Sequence, residues 1–259
     1  MVSDDVAWIV PGPACVGGAL AFIEFNDPVR ISELLKRAWL RPRGTRYRDA
    51  LVVMLTLCTG ALDAVCFLRL GRVFSSVITG NLALLGIAVG ERNGGLAANG
   101  GLALAGYAAG VVLGTLFAGT AERGQPVWPR RVTVTLAVEL GILVVFSAGW
   151  LVSGSHRGTA TRMVLLVLAA AAMGVQTAAV RRLGQMSTTY LTSTLTALAA
   201  ALATRRMPEE WQRSLGVILA LVVGAIFGSL AATQSPSWVP AAVLVPQVCV
   251  LLGSLAPAG

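Results

Sequence analysis

Residues 60–81 read GALDAVCFLRLGRVFSSVITGN, and residues 173–194, which lie 113 positions later, read MGVQTAAVRRLGQMSTTYLTST. Both stretches contain Arg-Leu-Gly. In each, an apolar segment with one polar side chain, Asp63 or Gln176, leads through this basic turn into a segment rich in hydroxyl groups. The repetition predicts a duplicated membrane unit with a polar site between its two halves.

The composition of the chain is that of an integral membrane protein. Of its 259 residues, 56% are hydrophobic and 12% are charged, and the mean hydropathy is +0.76. About one quarter of an average soluble domain is charged. Eight apolar windows mostly approach the roughly 20 residues that cross about 30 Å of hydrocarbon as a helix. They are 50–70, 73–89, 96–118, 132–152, 161–180, 190–203, 215–232 and 238–255.

Two of these windows look short or broken. The window 73–89 carries Gly80-Asn81 in its middle, and 190–203 is brief and rich in threonine. We therefore predict an all-α polytopic bundle with two internal repeats, about six spanning helices and two broken or re-entrant segments. Eight spanning helices are the alternative. Three true crossings per half would invert the second copy relative to the first, an arrangement common in secondary transporters.

The arginines favour the six-crossing arrangement, because cytoplasmic loops carry an excess of positive charge. Beyond the N-terminal tail, six crossings place eight basic residues inside and five outside, whereas eight crossings place six inside and seven outside. The N-terminus is then cytoplasmic.

The N-terminal part differs in character from the rest. We divide the chain into a tail, 1–47, and a membrane domain, 48–255, whose repeats span about 48–153 and about 161–255. Asn26 to Arg48 carries a net charge of +5, and its apolar residues recur at helical spacing. This pattern predicts an interfacial amphipathic helix that binds anionic lipid headgroups. Asp4 and Asp5 argue that the first 25 residues are not a signal peptide.

Polar residues inside the apolar windows are the candidate functional positions, since such groups are costly in lipid. If the two copies enclose a site for a solute or ion, the polar residues at matching positions of the two stretches line it: Asp63, Thr79, Asn81, Gln176, Thr192 and Thr194. Glu139 in the fourth window is a second candidate acid. The alternative is structural, because the same groups can hydrogen-bond neighbouring helices.

Other chemistry finds no support in the sequence. We find no nucleophile with an adjacent base, no phosphate-binding loop and no cluster of metal ligands, and we expect no enzymatic activity and no cofactor. The four cysteines are predicted to pack as small apolar residues. The positive charge lies beside the membrane, so we expect no nucleic-acid partner. Glycines at every fourth position, Gly106 to Gly114 and Gly224 to Gly228, predict close helix packing within the chain, or else dimerisation.

A set of motifs resembles the YoaK-like family of bacterial multi-pass membrane proteins. It consists of Gly60, Asp63, Phe67, Leu70-Gly71, Phe74, Thr79-Gly80-Asn81, Met173-Gly174-Val175-Gln176 and Arg181-Arg182-Leu183-Gly184. The resemblance covers about residues 48–255. It implies a multi-pass helical protein of the bacterial cytoplasmic membrane, but it indicates no substrate. Ser193 stands where the family pattern leads us to expect glycine.

Two functions remain open from the sequence. The first is a transporter or channel for a small solute or ion, with Asp63 as charge or proton carrier. The second is a non-transporting scaffold or partner-binding subunit in which the polar residues only hold helices together. A homo-oligomer is compatible with either.

Overall fold

The structure, a computed structural model, describes residues 43–119, 126–154, 157–183, 191–204 and 211–255. This part of the chain contains eight α-helices and no strand. They are α1 (Arg43–Val65), α2 (Ile78–Gly90), α3 (Gly94–Ala118), α4 (Arg130–Ser153), α5 (Thr159–Arg182), α6 (Leu191–Thr204), α7 (Trp211–Gln234) and α8 (Val239–Leu255). A π-helical turn, Cys66–Gly71, extends α1, and a 3₁₀ turn, Pro236–Trp238, precedes α8.

Six of these helices are long and apolar enough to cross a membrane: α1 with its π-helical turn, α3, α4, α5, α7, and α8 with its 3₁₀ turn. Large apolar side chains such as Val112, Leu116 and Phe227 are exposed on their outer faces, as expected of surfaces that meet lipid. The two shorter helices, α2 with 13 residues and α6 with 14, match the windows predicted to be broken. The prediction of an all-α polytopic bundle is confirmed.

Contacts between helix ends show that α2 does not cross. The Asn99 side chain at the start of α3 donates a hydrogen bond to the carbonyl of Gly71 at the end of α1, at 3.3 Å. Helix α3 therefore begins at the rim of the bundle where α1 ends. The chain between them, residues 72–93, enters the bundle and returns to the same rim.

The same reasoning applies to α6. Position Gly119, at the end of α3, lies beside the guanidinium groups of Arg131 and Arg182, so α5 ends at the rim where α4 begins. Helix α7 begins at this rim too, since Arg213 contacts Asp49 near the start of α1 at 3.7 Å. The start of α1 also lies near the start of α4, because a Cβ atom added at Gly44 would lie 3.7 Å from the side chain of Val127. Six crossings result, and α1 and α5 run in opposite directions.

The closest helix contacts are made between the first and the second half of the chain. The first crossing helix, α1, packs along α7, and α5 packs along α3. Glycines make both contacts very close. A Cβ atom added at Gly60 would lie 2.2 Å from the carbonyl oxygen of Leu221, and one added at Gly174 would lie 2.2 Å from that of Tyr107. The glycine pattern thus serves packing within the chain, as predicted.

The two helix pairs have the same register. Gly60, Gly110 and Gly114 contact the partner helix at positions whose counterparts, Gly174, Gly224 and Gly228, lie 114 residues later. The best sequence match has an offset of 113, so the packing shifts the correspondence by one residue. In the packed structure the position equivalent to Asp63 is therefore Thr177, the residue after Gln176.

Candidate functional site: two buried acids

Asp63 holds the segment that enters the bundle after α1. Its Oδ1 atom accepts hydrogen bonds from the backbone N–H groups of Ser75 and Ser76 at 2.7 and 2.8 Å and from the Ser75 hydroxyl at 2.7 Å. Its Oδ2 atom accepts from the Ser76 hydroxyl at 2.6 Å. These short, charge-assisted bonds satisfy the carboxylate without a cation. We call Asp63, Ser75 and Ser76 the loop clamp.

Asn81 secures the same segment from α2. Its side-chain oxygen accepts from the N–H group of Phe74 at 2.8 Å, and its side-chain nitrogen donates to the Phe74 carbonyl at 2.6 Å. The amide thereby replaces the backbone partner that Phe74 would have in a regular helix, a requirement for any non-helical backbone at membrane depth. The break in the segment therefore lies at residues 72–77, before the Thr79-Gly80-Asn81 motif that the sequence suggested as the break.

Thr79 lies in the first turn of α2, and its side chain is exposed rather than turned toward Asp63. Thr192 and Thr194 belong to α6, but their side chains lie outside the described residues, as does the predicted N-terminal amphipathic helix. The structure thus groups Asp63 with Asn81 around one loop and leaves Thr79 on another face.

Glu139 lies at the centre of a second polar group, to which three other helices contribute. Its Oε1 atom accepts a hydrogen bond from the Gln176 side chain on α5 at 3.1 Å, and its Oε2 atom accepts from the Gln247 side chain on α8 at 2.8 Å. Glu139 and Gln247 are fully buried, and Gln176 is 1% exposed. The donors to this carboxyl group are neutral amides. We call Glu139, Gln176, Gln247 and Thr59 of α1 the amide site.

Thr59 completes the amide site from α1. Its hydroxyl donates to Gln176 Oε1 at 2.8 Å and lies 3.2 Å from the carbonyl of Leu55. Gln176 also donates to that carbonyl at 3.4 Å. Gln247 donates to the carbonyl of Leu136 at 3.3 Å, while its own oxygen is buried without a hydrogen-bond partner among the described residues. Buried polar atoms nearly always have a partner, so this oxygen is an exception.

The predicted set of site residues therefore divides between two places. The hydrogen bonds of Asp63 go to its own loop, and those of Gln176 go to Glu139, Thr59 and Leu55. Both acids were predicted from the sequence as candidate functional residues. Thr59, and Gln247 as a partner of Glu139, were not predicted, because they lie far from Glu139 along the chain.

Two grooves open on the side of the bundle. One of about 480 Å³ is lined by Asp63 and Gly60 of α1, by Phe74 and Val77 of the entering segment, and by α7. The other, of about 650 Å³, lies between α1, α7 and α8, and its lining is almost wholly apolar. Glu139 lines neither of these grooves.

Charged residues gather at the rims. At the rim where α1 ends, Arg157 stacks on the Trp150 ring at 3.6 Å and donates to the Trp150 carbonyl at 3.0 Å. Burial, with repulsion from Arg69 and Arg162, lowers the pKa of the Arg157 guanidinium. The Trp150 indole N–H donates to the Pro236 carbonyl at 2.7 Å, which connects α4 to the turn before α8.

The two acids have different chemical capacities. The carboxylate of Asp63 is saturated by donors that approach from one loop, so it fixes backbone. Glu139 is held between side-chain amides, which can present either a donor or an acceptor. A buried carboxylate without a cation is costly in a membrane, so Glu139 is the position where a proton or ion has most to contribute.

These features define a polytopic helical membrane protein with six helices long and apolar enough to cross the membrane, a segment after α1 that enters the bundle and returns, and a buried acid at the junction of four helices. Residues 51–255 match the family model described as "Protein of unknown function (DUF1275)". The chain belongs to this family.

A similar curated protein is the UPF0700 transmembrane protein YoaK of Bacillus subtilis (strain 168). The two are 36% identical over 196 residues, which cover 71% of this chain and 84% of YoaK. The resemblance to a YoaK-like family that the motifs indicated is confirmed. No solved structure matches the chain.

Proposed function

We propose that this protein moves a small solute or ion across a bacterial cytoplasmic membrane, with Glu139 in place of Asp63 as its charge-carrying acid. The observation that carries this proposal is the amide site itself. A fully buried carboxyl group meets side chains from α1, α5 and α8. Ionisable residues inside a membrane bundle are rare and costly, and they mark ion and proton pathways.

The helix directions support the proposal. We infer that the chain is an internal duplication whose second half is inverted, because α1 and α5 run in opposite directions while their contacts with α7 and α3 share one register. Transporters with inverted repeats place their sites near the midplane, at the interface of the repeats. The amide site draws residues from both halves, as such a site would.

The charge distribution supports a cytoplasmic N-terminus. Among the described residues, the rim where α1 begins carries more basic residues than the opposite rim, including Arg131, Arg182 and Arg213. In the sequence, the basic tail directly precedes α1. Its binding to anionic lipid headgroups, the absence of a nucleic-acid partner, the absence of enzymatic activity and a homo-oligomeric state all stay predictions.

A second candidate is a non-transporting membrane scaffold or partner-binding subunit. The loop clamp supports it, since all four hydrogen bonds of Asp63 serve one loop and leave the carboxylate no free capacity. Under this hypothesis the amide site is also only an interhelical brace.

A stabilisation screen distinguishes the two candidates. The purified protein is melted in detergent against a broad panel of small solutes and ions, since a ligand that binds the folded state raises its apparent melting temperature. We expect at least one solute to raise it for wild type and not for Glu139→Gln. Asp63→Asn serves as the control for a buried acid outside the amide site. A panel in which no solute acts on wild type favours the scaffold.

A further inference from the structure

We infer that Glu139 binds and releases a proton, and that Gln176 and Thr59 together offer it a complete set of hydrogen bonds in either state. The inference deepens the proposed function, in which Glu139 carries the charge, and names the ion as a proton. It depends on the positions of four polar groups in the amide site and on the single proton of the Thr59 hydroxyl.

The described arrangement suits an ionised Glu139. Both Gln176 and Gln247 direct their amide nitrogens toward the carboxylate, at 3.1 and 2.8 Å. Gln176 then presents its oxygen to Thr59, which donates its proton there at 2.8 Å. Every group between Leu55 and Glu139 is paired.

A second arrangement suits a protonated Glu139. If the Gln176 amide turns by half a rotation, its oxygen accepts from the new O–H group on Glu139 Oε1, and its nitrogen donates to the Thr59 oxygen. The Thr59 proton then goes to the carbonyl of Leu55, which already lies 3.2 Å away. The oxygen and nitrogen of an amide have nearly the same shape, so the exchange needs no repacking. Its cost is the 3.4 Å bond from Gln176 to Leu55.

Gln247 is the less suitable partner for the proton. Its nitrogen donates both to Glu139 Oε2 and to the carbonyl of Leu136. A half-rotation turns the oxygen of either glutamine toward a backbone carbonyl, Leu55 for Gln176 and Leu136 for Gln247, but among the described residues only Leu55 has a hydroxyl, that of Thr59, to supply the replacement bond. The turned Gln247 nitrogen would also lie where the unpartnered oxygen now lies. The proton therefore belongs on Oε1, on the side of Gln176.

A proton fits this site better than a metal cation does. Hard cations collect about six or more oxygen ligands, whereas the amide nitrogens touch both carboxylate oxygens directly. The titratable groups that face the site are few. Cys58 lies within electrostatic reach of both Glu139 and Asp63, Tyr107 of α3 is bonded to Thr177, and Cys249 of α8 is exposed.

The test is infrared difference spectroscopy of the full chain in lipid nanodiscs, between acidic and alkaline buffer. A protonated carboxylic acid gives a carbonyl band that the carboxylate lacks. We expect such a band to titrate, to shift when glutamate is labelled with carbon-13, and to persist in Asp63→Asn. It should disappear in Glu139→Gln. The labelling distinguishes glutamate from aspartate, and Glu139 is the one glutamate that lies in a described spanning helix.

Matched valine variants test the role of Thr59. The Thr59 hydroxyl makes one hydrogen bond when Glu139 is ionised, to Gln176, and two when Glu139 is protonated, to Gln176 and Leu55. Thr59→Val therefore removes one bond more from the protonated state, and we expect the titration midpoint to fall by about one pH unit, the size expected from one differential hydrogen bond. The control, Thr56→Val, removes a buried hydroxyl on the same helix that donates to the Val52 carbonyl. Thr56→Val should leave the midpoint in place.

Three results would overturn the inference. The first is a carbonyl band that does not titrate. The second is a band that survives in folded Glu139→Gln and does not respond to glutamate labelling, and the third is an equal titration midpoint in the two valine variants. Sodium ions that raise the melting temperature at constant pH only when Glu139 is present would assign a metal cation instead. These experiments also distinguish a failure of the proton site from a failure of the proposed transport function. A titrating band in a protein that no solute stabilises keeps the proton site and removes transport, and a stabilising solute without the band does the reverse.

Discussion

Asp63 and Glu139 are both buried acids in membrane-spanning helices, yet their surroundings are opposite. Asp63 receives four hydrogen bonds from two consecutive serines that follow it by 12 and 13 residues. Glu139 receives two, from glutamines 37 and 108 residues away. The first acid organises its own loop, and the second connects separate helices. Burial of an acid therefore does not reveal its role, whereas the origin of its partners does.

The two sites should also differ in whether their hydrogen bonds can rearrange. Serine hydroxyls and N–H groups that converge on one carboxylate have no equivalent alternative arrangement. Side-chain amides do, because each can present either end. Variants at the two sites test directly whether the loop clamp is fixed and the amide site adaptable.

The largest loss of stability is expected from alanine at the glycines where the helices beside each site touch. Gly60→Ala should disrupt the α1–α7 contact beside Asp63, and Gly174→Ala should disrupt the α3–α5 contact beside Gln176, since each new Cβ would lie 2.2 Å from a backbone carbonyl. Backbone cannot yield as a side chain can, so we expect a loss of roughly 3 kcal/mol or more. Thermal unfolding in detergent measures it.

The control for the glycine variants is Gly141→Ala, because a Cβ at that helical position meets no atom within 4 Å. Alanine is a better helix former than glycine by about 1 kcal/mol, so stability should be unchanged or slightly higher. Equal melting temperatures for all three variants would contradict the close helix pairs.

The next effect is expected at the loop clamp. Asp63→Ala leaves two hydroxyl and two N–H groups of Ser75 and Ser76 without their acceptor. The hydroxyls can rotate toward other acceptors and the N–H groups cannot. Two buried unpaired N–H groups at about 1–3 kcal/mol each give an expected loss of about 3 kcal/mol, with Asp63→Asn intermediate because it keeps one acceptor oxygen. Hydrogen exchange at residues 72–77 should rise in step. A variant that melts like wild type would mean that the loop does not depend on Asp63.

At the amide site the chemistry of the replacement should matter more than the loss of charge. Glu139→Gln keeps the shape and can pair with both glutamines, so we expect a change below about 1 kcal/mol, whereas Glu139→Leu strands two buried amides at a cost of about 2 kcal/mol. Melting curves of the two variants, run together with the Asp63 pair, measure the contrast. A more damaging effect of Gln than of Leu would refute an adaptable site.

The smallest effect is expected at the position that corresponds to Asp63 in the second half. Tyr107→Phe removes the hydroxyl that donates to Thr177 at 2.9 Å and leaves the ring in place. Hydrogen bonds between membrane helices contribute about 0.6 kcal/mol on average, so the melting temperature should fall slightly. A loss of stability as large as that of Asp63→Ala would show that the hydrogen bond at Thr177 stabilises the protein as much as the loop clamp does.

Much of the fold was predictable because only a few kinds of structure can satisfy the backbone hydrogen bonds in lipid. The length of the apolar windows predicted the six helices that can cross the membrane, and the two short windows match the short helices α2 and α6. The glycine spacing gave the close contacts. The break before α2 was misplaced by several residues, because Asn81 reads as a helix breaker in sequence but serves as the partner of Phe74 in the structure.

The candidate site was predictable only in part. Asp63, Glu139 and Gln176 were identified as polar residues in apolar windows, but their grouping was not. The offset of 113 matched Asp63 with Gln176, and the glycine register at 114 matches it with Thr177. That register was readable from Gly60 and Gly174, whereas the partners Thr59 and Gln247 needed the three-dimensional packing of α1 and α8 around α4.

The exchanged helix pairs also bear on how the chain is made. Helix α1 leaves the ribosome about 160 residues before Leu221, the residue that its Gly60 touches. During that interval the first half sits in the bilayer with its close-packing face unmatched, so assembly waits until translation is almost complete. Two separately expressed halves should consequently complement each other in one cell, while either alone becomes a substrate for membrane proteases.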